Sequence, residues 1–293
     1  MKEKANIAFI ALLTGAAAIA FAPIFVRLSS LGPVATAFWR LTFALPVLWA
    51  WHFWTISKNE NKKSLSLKDK RNLILAGLFF ASDLSVWHWS IHFTSVANAT
   101  LLANFAPFFV TLAIWIFFKK KPSWLFLTGL MLAIGGTIVL VSSSLNMDKQ
   151  HLRGDGLGLI TAVFYAGYLL TVKHLRFSFP TATIMAWAGS ASSAVLFLIT
   201  LLSGEQFFTG GWHAWIVLVG LALISHVFGQ GMITFALAHL PASFSSVSLL
   251  LQPVLAALLA WMLFQEKIGL LQGAGGLFVL AGISLARKAS LEK

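Results

Sequence analysis

Two charged side chains stand inside long apolar stretches of the sequence, where charge is costly. Asp83 lies in the stretch 72–93, and Arg40 lies in the stretch 34–55. A charge in hydrocarbon costs about 3 kcal/mol on insertion scales, so such residues usually face a partner or a wet cavity. At about 1.5 Å per residue, Asp83 is about 16 Å from the start of its own helix. Arg40 lies on the antiparallel neighbouring helix, about 9 Å from the start of that helix. We expect the pair either to lock two helices together or to hold a zwitterion, with the carboxylate at Arg40 and proton coupling at Asp83.

Histidines follow Asp83 on the same stretch. His88 lies about one helical turn beyond Asp83, and its side chain is predicted to respond to pH. His88 and His92 have the i, i+4 spacing that can hold zinc, but no third ligand stands one turn further. The pattern therefore favours proton chemistry over a metal site.

Other polar and aromatic side chains occupy mid-helix positions that could line a pocket for an apolar amino acid or a flat solute. An amide there either binds a ligand or joins helices, the latter worth about 0.6 kcal/mol. The aromatic candidates include Trp39 and Trp89. The remaining candidates for substrate binding or coupling are Trp87, Asn104, Tyr165, Tyr168 and Gln252.

Two prolines divide apolar stretches close to their centres. Pro107 lies in the stretch 96–118, and Pro253 lies in the stretch 242–264. Proline lacks an N–H and frees the carbonyl four residues earlier, which bends a helix. Irregular backbone at membrane depth is tolerated where protein or water meets it. The prolines are therefore predicted either to be hinges beside a cavity or to be kinks in packing helices.

The elements that must hold these residues are membrane-spanning helices. The chain is 58% hydrophobic and 10% charged, whereas a soluble domain is about 45–50% apolar and about 25% charged. This deficit of charge excludes a soluble domain, and apolar runs of about 18 residues or more suffice to cross a bilayer. Apolar windows predict an all-α integral membrane protein with ten transmembrane helices, at 6–28, 34–55, 72–93, 96–118, 124–142, 154–175, 180–203, 212–238, 242–264 and 269–286.

An internal repeat relates residues 1–145, the first five-helix repeat, to residues 146–293, the second. Five is an odd number of spans, so the second repeat is inverted relative to the first. Inverted repeats are typical of secondary transporters with a site near the midplane, although a duplicated membrane protein can serve other purposes. An offset of 146 residues aligns Pro107 with Pro253, Trp115 with Trp261, Gly129 with Gly275 and Gly136 with Gly282. These paired glycines are predicted to let helices pack closely.

The distribution of basic residues predicts the orientation. If the N-terminus is cytoplasmic, 16 of the 21 Lys and Arg residues lie on the inside, four lie outside and Arg40 lies within a span. The positive-inside rule then places the N- and C-termini in the cytoplasm. The formal net charge of +12 is explained by this topology, so no nucleic-acid partner is expected.

Several stretches resemble a known family. They are 94–107 (TSVANATLLANFAP), its counterpart 240–253 (LPASFSSVSLLLQP), 154–176 (GDGLGLITAVFYAGYLLTVKHLR) and the step Phe38-Trp39-Arg40. Together with the five-plus-five spans, they resemble the EamA-type transporters of the drug/metabolite transporter superfamily over essentially the whole chain. The resemblance implies a ten-helix carrier of metabolites, such as amino acids, their analogues or other small polar compounds, in a bacterial inner membrane.

These observations lead to an expected function. We expect a secondary transporter, not an enzyme, that exports a small metabolite or drug-like solute by alternating access. The alternatives are an antiporter or uptake carrier for a nucleotide or phosphorylated metabolite and, in a different class, an intramembrane enzyme or channel. The chain has no cysteine and no G-x-x-x-x-G-K-[ST] loop, so no cofactor, metal or ATP-driven step is expected. The expected partners are a small-molecule substrate, the lipid bilayer and protons, with the protein a monomer or homodimer.

Overall fold

The computed structural model describes residues 2–58, 65–94, 96–142, 152–208, 210–265 and 268–291, and every regular element in these ranges is a helix. Ten continuous or interrupted helices among the described residues are long and apolar enough to cross a membrane. The predicted all-α fold with ten spans is therefore confirmed.

Some spans are single helices, and others are interrupted. The first five spans comprise α1 (Lys2–Ala20) with α2 (Ala22–Leu28), α3 (Pro33–Ser57), α4 (Leu67–Phe93), α5 (Val96–Ala103) with α6 (Ala106–Phe118), and α7 (Trp124–Val141). The next five comprise α8 (Leu152–Leu175), α9 (Thr181–Ser203), α10 (Trp212–Gly220) with a π-helical segment (Leu221–Gln230) and α11 (Gly231–Ala236), α12 (Ala242–Ser248) with α13 (Leu251–Phe264), and α14 (Leu270–Leu291).

Helices α4 and α14 each extend several residues beyond one end that hydropathy predicted. Helix α4 begins at Leu67 rather than at residue 72 because Ser66 and Asp69 form a capping box. The Ser66 hydroxyl accepts the Asp69 N–H at 3.2 Å, and the Asp69 carboxylate accepts the Ser66 N–H at 3.1 Å. Helix α14 continues to Leu291 rather than to residue 286. In these two cases, the added turns carry charged residues, which a hydropathy window does not count as part of a span.

The 146-residue offset also relates the helix ends. Helices α7 and α14 begin at Trp124 and Leu270. Helices α6 and α13 stop at residues in the left-handed conformation, Lys119 with φ 55° and Gln265 with φ 56°. Non-glycine residues rarely adopt this conformation, so its presence at equivalent positions shows that the backbone is repeated. The predicted boundary between residues 145 and 146 lies outside the described residues.

The repeats interleave instead of packing as separate bodies. The most extensive interface joins α7 to α14, and the next two join α4 to α8 and α3 to α9. Each of these interfaces pairs a helix of the first repeat with a helix of the second. Sliding one repeat past the other as a rigid block would therefore break the largest interfaces in the molecule.

Helices α7 and α14 approach each other at the paired glycines. A Cβ atom on Gly136 would lie 2.7 Å from the carbonyl oxygen of Gly275, and one on Gly129 would lie 2.7 Å from that of Gly282. These distances are shorter than real Cβ contacts, so only glycine allows the two backbones to meet. The predicted role of the glycines in close helix packing is confirmed.

Hydrogen bonds between side chains set the register of α3 on α9. Such bonds average about 0.6 kcal/mol each in a membrane, so they position the helices more than they stabilise them. The bonds are Thr42 Oγ1 with Ser193 Oγ at 2.8 Å, Trp49 Nε1 to Ser190 Oγ at 3.0 Å, and His52 Nδ1 with Thr183 Oγ1 at 3.0 Å.

We predict that Gly136→Ala destabilises the protein, whereas Gly135→Ala does not. A Cβ on Gly136 meets backbone atoms of α14, and overpacking of this kind costs about 1–3 kcal/mol. A Cβ on Gly135 meets nothing within 4 Å, and alanine gains up to about 1 kcal/mol of helix propensity over glycine. Unfolding midpoints of the purified variants in a denaturing-detergent titration measure the difference. Equal midpoints for the two variants would contradict the close-packing interpretation.

Candidate functional site

A cavity of about 240 Å³ lies between the repeats, in the half of the bundle away from the two termini. Its walls come from α1, α2, α3, α4, α5, α8, the π-helical segment and α13. It collects most of the residues singled out from the sequence, although their binding roles stay predictions. The predicted residues on its surface are Arg40, Asp83, Trp87, His88, Asn104, Tyr165, Gln252 and Pro253.

Two hydrogen-bond donors in this cavity have no partner among the residues that the structure describes. Arg40 Nε and Gln252 Nε2 are buried atoms, and neither has an acceptor among the described residues. Leaving a buried donor unpaired costs about 1–3 kcal/mol, and more where it is charged. Each such group in a native structure therefore calls for an explanation, and a bound acceptor is the simplest one.

Arg40 and Asp83 face the same cavity without touching. The Arg40 side chain is only 8% exposed, and Asp83 and Tyr165 lie close enough to interact with it electrostatically. No direct hydrogen bond or ion pair joins the two described side chains. The sequence left a structural ion pair and a ligand-binding pair as alternatives. The separation of the charges favours the second, because a ligand with both charges can fill the space between them.

Aromatic rings form the wall beneath the charges. Tyr165 stacks on Tyr168 with ring centres 6.1 Å apart, and Phe80 packs on Tyr168 at 4.9 Å. Tyr168 is 1% exposed and does not reach the cavity surface. It supports Tyr165 from behind, and its hydroxyl accepts a hydrogen bond from Gln230 Nε2 at 3.2 Å. Tyr168 therefore lies behind the cavity lining, and its predicted role in substrate binding or coupling stays a prediction.

Two tryptophans considered for the pocket also lie elsewhere. Trp39 donates a hydrogen bond to the Phe207 carbonyl at 2.6 Å and packs edge-on against Trp215 at 5.0 Å. Trp89 is 52% exposed on the outer surface of the bundle. Apolar surroundings alone do not distinguish a pocket-lining tryptophan from one that faces lipid or a neighbouring loop.

His88 lines the cavity one turn from Asp83, as its spacing predicted. It is 3% exposed, and its ring lies 4.9 Å from that of Trp87. The side chain of His92 lies outside the described residues, so the alternative of a zinc pair is not tested. Asn104 reaches the cavity but also donates to the Thr100 carbonyl of its own turn at 2.9 Å.

The predicted proline positions coincide with helix breaks. Helix α5 ends at Ala103, and α6 begins one residue before Pro107. In the second repeat, α12 ends at Ser248, and α13 begins two residues before Pro253. Pro253 lines the cavity, whereas Pro107 is buried outside it. The breaks are present, and their action as hinges stays a prediction.

Sequence reasoning missed two other interruptions around the cavity. Helix α1 ends at Ala20, and Pro23 lies in the first turn of α2, a proline signal that was available in the sequence. The π-helical segment carries Gln230, 1% exposed, onto the cavity surface. It also holds His226 behind the wall, stacked on Phe80 at 5.6 Å. No sequence pattern identifies a π-helix, although such segments often occur at functional sites.

The cavity is open at one end of the bundle, and the place related to it by the 146-residue offset is closed. Among its lining residues, Val26, Trp87 and Ala103 are partly exposed. The residues 146 positions later, Val172, Ile233 and Leu249, belong to the buried hydrophobic core in the half nearer the termini. A two-fold framework therefore encloses a one-sided cavity.

The whole fold is similar to that of a solved protein. A crystal structure superposes with a TM-score of 0.80 over 99% of this chain and 98% of the other, at 16% sequence identity. At this identity, the match establishes the fold alone.

Two bacterial exporters are among the relatives that are similar in sequence. The pseudopaline exporter CntI of Pseudomonas aeruginosa is 26% identical over 226 residues, which are 76% of this chain and 78% of the exporter. A probable terminal-alkyne amino-acid exporter of Streptantibioticus cattleyicolor is 26% identical over 230 residues, 75% of each protein.

Each repeat also matches a family model separately. The model of the EamA-like transporter family matches residues 6–142 and matches again at residues 152–287. The two matches cover nearly the whole chain and agree with the resemblance seen in its sequence. This multi-pass membrane protein belongs to the EamA-like transporter family.

Proposed function

We propose that this transporter exports a small zwitterionic metabolite, an amino acid or a related compound, by alternating access across a bacterial inner membrane. The observation that carries the proposal is that two buried donors, Arg40 Nε and Gln252 Nε2, have no acceptor among the described residues and line the cavity that also bears Asp83. The two donors suit the carboxylate of a ligand, and the Asp83 carboxylate suits its ammonium group.

The charge balance of the cavity supports a zwitterion over an anion or a cation. Arg40 and Asp83 are the only Arg, Lys, Asp or Glu residues among those that line it. A zwitterion gives each buried charge an opposite charge, so neither has to be neutralised by bulk water. The apolar part of the ligand would lie against Phe80, Trp87 and Tyr165. Such a site resembles other small-molecule sites, which are mostly apolar with a few placed polar groups.

The proposed direction of transport rests on the relatives. Two bacterial relatives are exporters by name, one a pseudopaline exporter and one a probable terminal-alkyne amino-acid exporter. Export of a compound of this kind is also consistent with a cavity that opens away from the termini, because the release side must at some stage be open.

The interleaved helices affect how access would alternate. A rigid rocking of one repeat against the other conflicts with the α7–α14 and α3–α9 interfaces. Bending at the breaks after Ala20, Ala103 and Ser248 leaves those interfaces intact. Hinges of this type absorb large backbone changes at a few residues. We therefore infer that the ends of the interrupted spans move while the unbroken helices hold the frame.

The alternative substrates fit the cavity less well. A nucleotide or phosphorylated metabolite calls for several cations, and Arg40 is the only Lys or Arg on the lining. An enzyme or a channel is distinguished by reconstitution in liposomes. Saturable flux that is stimulated by counterflow indicates a carrier, linear flux indicates a channel, and product formation indicates an enzyme.

We expect zwitterionic amino acids to stabilise the purified protein. We expect Arg40→Gln to lower the affinity for them about 100-fold and so to reduce the stabilisation at a given ligand concentration. Truncating one partner of a buried hydrogen-bonded charge pair costs about 2–5 kcal/mol, and a ligand at 100 times its Kd stabilises by about 2.7 kcal/mol. Thermal unfolding midpoints are measured against amino acids, nucleotides and amphiphilic drugs. Arg71→Gln, an exposed change, is the matched control. Stabilisation by nucleotides alone would contradict the proposed substrate class.

We expect Asp83→Asn to abolish the pH dependence of transport while leaving the protein folded. Asparagine keeps the shape of the side chain but cannot carry a proton at physiological pH. Counterflow and proton-driven uptake are compared in proteoliposomes, with Asp69→Asn at the exposed capping box as control. If proton-driven flux keeps its dependence on pH in Asp83→Asn, Asp83 has no part in the coupling.

Labelling tests the proposed orientation without interference, because the chain has no natural cysteine. Gly210 lies between α9 and α10, where a Cβ meets nothing within 4 Å, and Lys58 is the exposed residue after α3. In intact cells, a membrane-impermeant maleimide is expected to label Gly210→Cys and not Lys58→Cys. The reverse pattern would place the termini outside the cell.

A further inference from the structure

A second cavity, of about 400 Å³, lies at the opposite end of the bundle, where both termini are. It is formed by the last turns of α6, α8 and α14, together with the first residues of α7 and α12. It shares no lining residue with the central cavity. Along α6, α8 and α12, fully buried side chains lie between the positions that line one cavity and those that line the other, including Val110, Leu169 and Val247.

The lining of this second cavity is basic. Its described residues include three lysines and a histidine and no Asp or Glu. Three serine hydroxyl groups supplement the cations. The polar lining residues that bear on an anion are Lys120, Lys121, Lys173, His174, Ser123, Ser243 and Ser290.

The deeper wall of the cavity is apolar. Ile114, Phe126 and Leu170 form it, and Leu170 lies about 4–5 Å further into the helix bundle than Lys173 at 1.5 Å per residue. At the rim, Phe118 is 64% exposed and Phe177 is 75% exposed. Trp124 is 86% exposed at the start of α7, next to the lining residue Ser123, and tryptophan is enriched at the headgroup level of a membrane. The cavity therefore combines cations at the headgroup level with an apolar wall at the level of the acyl chains.

Lys173 is held so that its ammonium group faces this cavity. Its Nζ donates to the Leu237 carbonyl at 2.8 Å and lies 5.1 Å from the centre of the Phe177 ring. An ammonium has three N–H donors, so the bond to Leu237 leaves two for a ligand. The hydrogen bond fixes the charge of Lys173 at the cavity wall. A flexible surface lysine, in contrast, would extend its ammonium group into water.

The equivalent place in the first repeat is arranged differently. Arg27 stands 146 residues before Lys173, and Phe264 stands 146 residues after Phe118. The Arg27 guanidinium lies 4.3 Å from the centre of the Phe264 ring. At that place, the cation therefore covers the ring that corresponds to Phe118. In the second repeat, Lys173 contacts Leu237 and Phe177 instead, and the space beside Phe118 belongs to the cavity.

Neighbouring groups outside the spans show how positive this end of the molecule is. Partial burial and then the charges of Arg176, Lys4 and Lys173 lower the pKa of His239. At neutral pH, this histidine is therefore predominantly uncharged, and the lysines and arginines account for the positive potential that an anion would meet.

We propose that this second cavity binds a phosphate ester, presented as the headgroup of an anionic phospholipid in the adjacent leaflet. The phosphate lies among Lys120, Lys173 and the serine hydroxyls, and the acyl chains run along Ile114 and Leu170. Basic pockets between membrane helices bind anionic headgroups in this way. A zwitterionic phospholipid carries an ammonium group that the same cations repel, so the cavity selects by net charge.

The test uses the full-length protein in nanodiscs that contain equal amounts of phosphatidylglycerol and phosphatidylcholine. Native mass spectrometry after release counts the lipids that stay bound. The wild type is expected to retain phosphatidylglycerol preferentially, and Lys120→Gln to reduce that preference about fivefold. Lys120 is exposed, so its replacement leaves the fold intact, and Lys173→Gln serves as a second variant. Lys119→Gln is the control, because Lys119 is an exposed neighbour of identical charge that does not line the cavity.

Three results would overturn the proposal. They are equal retention of the two lipids by the wild type, an unchanged preference in Lys120→Gln, and an equal loss of preference in Lys119→Gln. A further arm adds glycerol 3-phosphate or inorganic phosphate to the nanodiscs. Retention of the lipid supports a lipid headgroup as the occupant, whereas its displacement would mean that the cavity serves a soluble phosphate ester. These measurements involve no transport, so they stand independently of the proposed export function.

Discussion

Hydrocarbon supplies no hydrogen-bond partner, and this constraint decides where the molecule can be irregular or charged. Arg40 is placed where protein surrounds it on all sides except that of the central cavity. The helix breaks after Ala20 and Ser248 are followed by residues that line the same cavity. Elsewhere, the spans are continuous helices with apolar outer faces. Arg40, Asp83, these two helix breaks and the Gln252 amide therefore share one cavity between the repeats.

The framework is symmetric, whereas the chemistry is not. Helix starts, helix stops and the glycine contacts between α7 and α14 follow the 146-residue offset. At that offset, Arg40 corresponds to Ala186 and Asp83 corresponds to Gly229. A duplicated backbone supplies matched breaks on the two sides of the membrane, and a single set of charges supplies one site. This division is what a carrier with one midplane site requires.

The two cavities lie in opposite halves of the helix bundle and share no lining residue. The lining of the central cavity has one positive and one negative side chain. The charged side chains that line the cavity near the termini, among the described residues, are all basic. The first therefore suits a neutral pair of charges, and the second suits an anion. Because the second cavity also reaches exposed aromatic residues at the headgroup level, its chemistry matches the membrane itself better than a solute in transit.

The sequence alone determined the ten spans, the repeat and its offset, because hydropathy and spacing are local properties that survive without coordinates. It also identified Arg40, Asp83, His88, Gln252 and Pro253, since polar residues and prolines are conspicuous within apolar stretches.

Only the tertiary structure decided which of these residues share a cavity and which face lipid, core or loop. Tyr165 lines the cavity and Tyr168 lies behind it, while Trp39 and Trp89 lie away from the cavity. The tertiary structure also showed that the repeats interleave, and it revealed the π-helical segment with Gln230. The physical reason is that the direction of a side chain depends on how helices rotate and pack against partners that are distant in the sequence. An apolar helix in an apolar solvent carries little periodicity to indicate that rotation.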